Sequence, residues 1–338
     1  MKNNFWKKLK KQCGREKRPI LALAPMAGVA DSAFRQICKG FGADVVYSEM
    51  SSAAALVFNP GPTLEMIQFG KKERPYVVQL FGSNPEHFAA AARLVTKKIK
   101  PDGIDINFGC PVKKVQKQGA GAALMGDLDL SCKVVKAVLE NTKLPVSVKC
   151  RASVPGKKGG VVTVLDFLKK IKDLDAAAIM IHGRTMAQGH AGPVDAAIIR
   201  EARKYFSGVI LANGGVGRFL APNPSSALAD EGRMEYAEWL LRESGADGLG
   251  IGQGALGNPS VFKQLRIKNY ELRIKEIFSL ALKHARLAYK LKGKAGILEM
   301  RKHLCWYVAG LPNASELRRQ FVRVESLKEI EEILKTSR

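Results

Sequence analysis

Cys110 lies in the stretch Asp105-Ile106-Asn107-Phe108-Gly109-Cys110-Pro111, where an apolar run gives way to a Gly-Cys-Pro turn. Such a turn presents one thiol at the end of a strand. A free cysteine is most often a small, inert hydrophobe. A thiol with an ordinary pKa of about 8.5 is also mostly protonated at neutral pH, and so can give a proton away. Its surroundings decide between the two.

Other short apolar runs end in groups of the same kind. One ends in the small-residue turn Pro25-Met26-Ala27-Gly28, and others in Ser48-Glu49-Met50, in Gln79 and in Lys149 with Arg151. The last three end in His182-Gly183-Arg184-Thr185, Asn213-Gly214-Gly215 and Gly252-Gln253-Gly254. Singly, each has a plain explanation: a core amide, a structural histidine, an edge lysine. Together they do not, because burying each without a partner costs roughly 1–3 kcal/mol or more. Something polar must meet them. Carboxamides carry both donors and acceptors, which suits a heterocycle with alternating N–H and C=O edges. Glycine turns after the last two runs suit a phosphate, with Lys149, His182 and Arg184 adding charge. A phosphorylated, ring-bearing cofactor follows, and FMN fits best.

The elements that position these groups show in the apolar pattern. Short runs occur at 21–26, 45–50, 76–82, 103–109, 146–151, 178–183, 208–214 and 249–254. Each is too short for a helix and almost continuously apolar, as strands buried on both faces are. Residues 88–99, 130–139 and 164–171 have helical character between them. Gly-Ala-Asp joints at 42–44 and 245–247 end a helix and enter a strand. Eight strands alternating with helices predict an α/β fold, a TIM (β/α)8 barrel over 19–262. A doubly wound sheet is disfavoured because no G-x-G-x-x-G follows the first run. Residues 263–338 predict a small helical domain, with an apolar stripe through Phe278, Ala281, Ala285 and Ala288 and a capping box from Asn313 to Glu316. Residues 1–18 read as a basic, solvated tail.

The chain has 55 Lys+Arg against 31 Asp+Glu, a formal charge of +24. That excess predicts a polyanionic partner, nucleic acid first. Basic residues such as Arg301-Lys302-His303 place part of the grip in the helical domain. The six cysteines form no C-x-x-C pair, so no metal site is expected. No secretory signal and no membrane-spanning run is read, and a reducing cytoplasm is the expected setting, with the protein acting as a monomer.

Several stretches together resemble the tRNA-dihydrouridine synthase family, most closely its bacterial B-type branch. They are "APMAGVADSAFR" (24–35), "YSEM" (47–50), "VVQLFGSNPEHF" (77–88), "GIDINFGCPVKKVQKQGAGAALM" (103–125), "VSVKCR" (146–151), "IHGRT" (181–185), "NGG" (213–215), "GQGALGNP" (252–259) and "RKHLCWY" (301–307). The resemblance implies an FMN barrel with a helical tRNA-binding domain, NADPH as reductant, and hydride transfer to C6 of a tRNA uracil in the D-loop. It implies Cys110 as the acid that protonates C5. It carries FMN contacts to Pro25, Met26, Ala27, Gln79, Lys149, His182, Asn213, Gly214, Gly215, Gly252 and Gln253. Asn107 would face the uracil, with Arg151, Arg184, Arg301, Lys302 and His303 toward substrate. The "GAGAA" stretch at 119–123 is expected to be a mobile loop that carries the acid in.

Three positions depart from the family pattern. Gly215 stands where an acid is usual, Gln253 where an arginine commonly holds the FMN phosphate, and residues 217–236 are longer than the connection requires. Two other readings stay open: an FMN oxidoreductase acting on free dihydropyrimidine or dihydroorotate, and a tRNA-binding protein without catalysis.

Overall fold

The computed structural model describes residues 4–216, 227–267 and 270–336. Eight parallel strands close into a barrel: β1 (Ile20–Leu23), β2 (Val45–Ser52), β3 (Tyr76–Phe81), β4 (Gly103–Phe108), β5 (Val146–Arg151), β8 (Ala178–His182), β9 (Val209–Asn213) and β10 (Gly248–Ile251). Their order around the barrel is β1-β10-β9-β8-β5-β4-β3-β2. Two further strands, β6 (Ser153–Pro155) and β7 (Val161–Thr163), form an antiparallel hairpin after β5. The sequence-predicted runs are these eight barrel strands, within a few residues at each end.

The helices follow in chain order: α1 (Phe5–Arg15), α2 (Ser32–Gly40), α3 (Ala53–Phe58), α4 (Pro60–Met66), α5 (Pro85–Lys98), α6 (Lys113–Gln116), α7 (Ala122–Met125), α8 (Leu128–Glu140), α9 (Val164–Ile171), α10 (Ala196–Ala202), α11 (Ala227–Ser244) and α12 (Val261–Gln264). Beyond the barrel come α13 (Ile274–Lys292), α14 (Lys294–Tyr307), α15 (Ala314–Phe321) and α16 (Leu327–Thr336). None of the described helices is long and apolar enough to cross a membrane.

The period-2 alternation of a strand splits the core in two. Leu21, Val46, Val78, Ile104, Val148 and Ile179 point outward and pack under the helices. Ile20, Val45, Tyr47, Val77, Met180 and Leu211 point inward and fill the lower barrel. The same inward faces turn polar toward the strands' C-terminal ends, through Gln79, Asn107, Lys149, His182 and Asn213.

The glycine-to-acid joints have a repeated function. Asp44, before β2, accepts the N–H of Leu21 on β1 at 2.9 Å, and Asp247, before β10, accepts that of Ile210 on β9 at 2.9 Å. Asp102, before β4, accepts the N–H of Tyr76 on β3 at 2.8 Å. Each carboxylate therefore ties the start of one strand to its neighbour.

The N-terminal segment differs from the expected solvated tail. Asn4 caps helix α1 by accepting the N–H of Trp6 at 3.0 Å. Phe5, Leu9 and Cys13 recur every four residues, and with Trp6 they pack against the inward residues of the barrel floor. Trp6 is wholly buried. The lysines of α1 line its solvent side, so their abundance concealed a narrow apolar stripe.

The helical domain begins near the expected boundary but shares a core with the barrel. Ala33 and Ile37 of α2 belong to the same cluster as Phe278, Leu304 and Phe321. The predicted capping box at Asn313 does not form. Asn313 takes the left-handed conformation with φ 57° and makes no side-chain cap. Glu316 pairs instead with Arg319 at 2.7 Å and accepts from Gln320 at 3.0 Å. Of the long connection expected at 217–236, residues 217–226 lie outside the described residues, and α11 begins at Ala227.

Candidate active site

The C-terminal ends of the strands open onto a cavity of about 850 Å³. Parallel register sets its polar residues side by side. Gln79 pairs with Asp105 across β3 and β4, and Asn107 with Lys149 across β4 and β5. Arg151, His182 and Asn213 form a continuous row across β5, β8 and β9.

A chain of hydrogen bonds rises from the barrel interior to Cys110. Asp105 is fully buried and accepts from Ser147 Oγ at 2.6 Å and Gln79 Nε2 at 2.7 Å. With its amino group committed to Asp105, the Gln79 carbonyl oxygen faces Asn107 and accepts its Nδ2 at 2.9 Å. Asn107 Oδ1 then accepts the backbone N–H of both Gly109 and Cys110 at 3.0 Å. One acceptor-only carboxylate thereby orients two carboxamides and the turn that carries the thiol. Burial raises the Asp105 pKa to about 6, against the opposing hydrogen bonds of Ser147 and Gln79 and the charge of Lys149. Asn107 lines the cavity, but its side-chain oxygen serves the Cys110 turn, a role the sequence reading did not assign.

Lys149 is held at the cavity wall by Asn213, whose Oδ1 accepts its Nζ at 3.0 Å while Nδ2 donates to Gly250 O at 2.6 Å. Burial, then the charge of Arg151, lowers the Lys149 pKa to about 8. Burial, then Lys149, Arg151 and Arg184, presses His182 down to about 2, so its ring is neutral across the working pH range. His182 Nε2 is buried with no hydrogen-bond partner among the described residues. Gly214 and Gly215 adopt φ 106° and 78°, where L side chains are strained. A Cβ at Gly214 would come within 2.6 Å of the His182 ring, and one at Gly215 would overlap Tyr236.

These features fit a flavin phosphate and ring. The turn at 214–215 offers backbone close to the cavity, an orphaned imidazole nitrogen is buried against Gly214, and Lys149 supplies charge. Pro25, Met26, Ala27, Gln79, Gly252 and Gln253 line the same cavity. Gln253 brings no charge there; among the described residues the cationic groups at the wall are Lys149, Arg151 and Arg184.

The structure redistributes the substrate candidates. Arg151 lines the cavity but is 2 % exposed and clamps loops, donating to Gly109 O at 2.9 Å, Thr185 O at 3.0 Å and Gly189 O at 2.9 Å. Arg184 lines it too, its Nε on Gly192 O at 2.8 Å. Arg301 is outside it: its guanidinium holds the α15–α16 turn through Val324 O at 2.9 Å. His303 is also outside, buried at 4 % exposure against Phe34, His284 and Trp306 in the joint between the barrel and the helical domain. His303 escaped notice as a buried residue because a helix of mixed composition does not reveal which of its basic residues face inward. Lys302 does reach the mouth, where its ammonium donates to Gly28 O.

Residues 119–123, expected to be a mobile loop, are packed as a platform in this structure. Ala120 and Ala122 are fully buried, and Ala122 N–H donates to Cys110 O at 3.1 Å. Gly121 has φ 63°, and a Cβ there would meet Cys110 O at 2.8 Å. The small residues let the platform press against the cysteine. The sequence reading also missed Trp306 and Tyr236, which bring aromatic walls from α14 and α11. Trp306 lies one turn after Lys302, which is the only local sign that both face the mouth. Among the described residues no cluster of three or more His, Cys, Asp or Glu is placed to hold a metal.

The barrel and its polar mouth define a (β/α)8 enzyme with its site at the C-terminal face. Solved structures share the fold: an old yellow enzyme homologue from Zymomonas mobilis superposes with TM-score 0.51 at 14% identity, covering 75% of this chain and 90% of the other. The family itself comes from sequence. The dihydrouridine synthase (Dus) family model matches residues 22–337, so the chain belongs to that family. A probable tRNA-dihydrouridine synthase of Aquifex aeolicus is 34% identical over 320 residues, covering 93% of this chain and 94% of the relative. The tRNA-dihydrouridine synthase B of Pseudomonas syringae pv. tomato is 34% identical over 315 residues, 90% of this chain and 87% of the relative.

Proposed function

We propose that the protein reduces uridine to 5,6-dihydrouridine in tRNA, with FMN in the barrel mouth and NADPH as the reductant. The observation that carries this is the placement of Cys110. Its turn is fixed from below by the Asp105–Gln79–Asn107 chain and from the side by Gly121 and Arg151, at the rim of a cavity lined for a heterocycle.

Saturating the uracil C5=C6 bond takes one hydride and one proton. A reduced flavin held in the mouth would supply the hydride for C6. Cys110 Sγ supplies the proton for C5, as a general acid held in place. A proton from solvent restores it. Lys149, His182 and the Gly214–Gly215 turn would hold the cofactor.

A uridine stacked within folded tRNA cannot enter, so it is taken splayed out from a loop, the D-loop being the family expectation. The charge of +24 and the exposed cations of the helical domain then grip phosphates, and affinity falls steeply with salt. The protein works in this reading as a cytoplasmic monomer.

The test is a reoxidation experiment. The purified protein is reduced anaerobically with NADPH and mixed with tRNA lacking dihydrouridine, while flavin absorbance is followed. Fast reoxidation by tRNA, and not by uracil or orotate, is the expected result. Reaction with free pyrimidine alone would move the activity to a small-molecule oxidoreductase. A colourless protein that binds tRNA would leave binding as its function.

A further inference from the structure

A second cavity, of about 290 Å³, lies beside the Cys110 turn. Its walls come from loops that follow β4, β5 and β8, so it opens on the same face of the barrel as the active site. Gln116 and Gly119 form one side, Pro155 and Lys157 another, and Met186 a third. Its size is near the lower limit for small-ligand pockets and well below that of the main cavity. Mostly apolar walls of Ala122, Leu130, Pro155 and Met186 with a few polar edges, at this volume, suit one nucleobase.

The rim is strongly basic. Lys113, Lys114 and Lys117 are exposed on and just after α6, and Lys157 and Lys158 at the tip of the β6–β7 hairpin. Of these five, among the described residues, only Lys157 is ion-paired, to Asp127 at 2.7 Å. Val112, next but one to Cys110, is 52% exposed between the rim and the main cavity.

Barrel order sets this rim opposite the helical domain. Lys302 of α14 touches the loop after β1, and Trp306 abuts Gly257 after β10. β5 stands four strands away from β1 in the closed ring of eight, on its far side. A polyanion held at both places must cross the mouth.

We propose that the lysine rim is a second RNA-binding surface, and that the smaller cavity receives a nucleotide adjacent to the target uridine. This rests on the reading of the protein as a tRNA-acting enzyme. The RNA strand runs from the helical domain to the rim with the target uridine inserted between them. The subsite is mechanically joined to the acid. Gln116 Nε2 donates to Pro111 O at 2.6 Å, directly after Cys110, while Arg151 links Gly109 to the segment that carries Met186. An occupied subsite therefore braces the Cys110 turn on both sides.

Two measurements test this on the full-length, flavin-loaded protein. In the first, tRNA affinity is measured against salt for wild type and Lys117→Gln/Lys158→Gln, with flavin content as the folding control. The expected result is roughly tenfold weaker binding and a salt slope smaller by about one per lysine removed. Wild-type affinity and slope in the double variant would overturn the proposal. In the second, tRNA carrying 4-thiouridine next to the target position is photo-crosslinked and the attached peptides are mapped. Crosslinks to 116–123, 155–158 or Met186 are expected, and crosslinks confined to the helical domain would overturn it. If wild type fails to bind tRNA at all, the parent reading falls, and this one falls with it for that separate and recognisable reason.

Discussion

The two ends of the same eight strands are built on opposite principles. At the floor, inward positions are Ile20, Val45, Val77 and Leu211, closed by Trp6. Asp44, Asp102 and Asp247 sit outside that plug and tie strand to strand. One inward position further along, as from Val77 to Gln79 and from Leu211 to Asn213, the inward row becomes Gln79, Asn107, Lys149, His182 and Asn213. The floor stabilises the barrel through apolar burial. The mouth holds a row of polar groups where burial alone would be costly, although each end leaves one buried nitrogen without a partner among the described residues, Trp6 Nε1 at the floor and His182 Nε2 at the mouth. A barrel of this kind places stability at one end and chemistry at the other, and the inward row changes character between them.

The comparison predicts that substitutions at the two ends fail differently. The largest effect belongs to the mouth. Cys110→Ala should lower dihydrouridine formation by about 10²–10⁴-fold, the range for a general acid, while flavin and tRNA binding persist. Near wild-type turnover by mass-spectrometric assay of the tRNA would remove the thiol from its role. The floor gives the next effect, and in stability rather than rate. Trp6→Ala should cost about 3–5 kcal/mol in urea unfolding, with an unchanged flavin spectrum in the fraction still folded. A variant as stable as wild type would show that α1 does not seal the barrel.

A third test probes the link between the ends, because Asp105 lies between them. Its pKa of about 6 lies above the ordinary carboxylate value, so its ionised form is complete above that pH and lost as pH falls through it. Protonation puts a donor where two donors already point, and the Gln79–Asn107 orientation fails. Wild-type turnover should therefore decline below about pH 6, with His182 contributing nothing because it stays neutral down to about pH 2. Asp105→Asn should be slow at every pH, by about tenfold for the loss of a charge-assisted bond, and lack that inflection. Stopped-flow reoxidation across pH 5–8 reads both. The smallest effect is expected from Gln253→Arg. It adds a cation at the wall of the main cavity and should tighten flavin several-fold, an electrostatic gain of about 1 kcal/mol, read by flavin fluorescence titration.

Much of the barrel was legible because parallel strands buried on both faces are near-continuous apolar runs with glycine joints. Helix α9 matches its predicted span, since Val164, Phe167, Leu168 and Ile171 mark one face without interruption. The cavity residues were legible because each polar group interrupts a run that should be aliphatic. Information was lost where exposure depends on distant partners. Trp6 was masked by surrounding lysines, and His303 by Arg301 and Lys302 on the same helix. Trp306 and Tyr236 enter the cavity from elements whose docking no local spacing encodes. Asp105 stood in the quoted motif from the start, but its task appears only when its hydrogen bonds to Gln79 and Ser147 are traced.

The plug formed by α1 also governs how the interior exchanges with its surroundings. With the floor stopped by Trp6 and Cys13, the amide protons of Gln79 and Asn107 communicate with bulk water through the mouth. A substrate lying across that mouth closes the route. On the proposed reaction, isotope from heavy water is expected to reach the row only after product leaves, which exchange measured with tRNA bound and free would check. The barrel works as a one-ended vessel, filled and emptied through the opening at which it reacts.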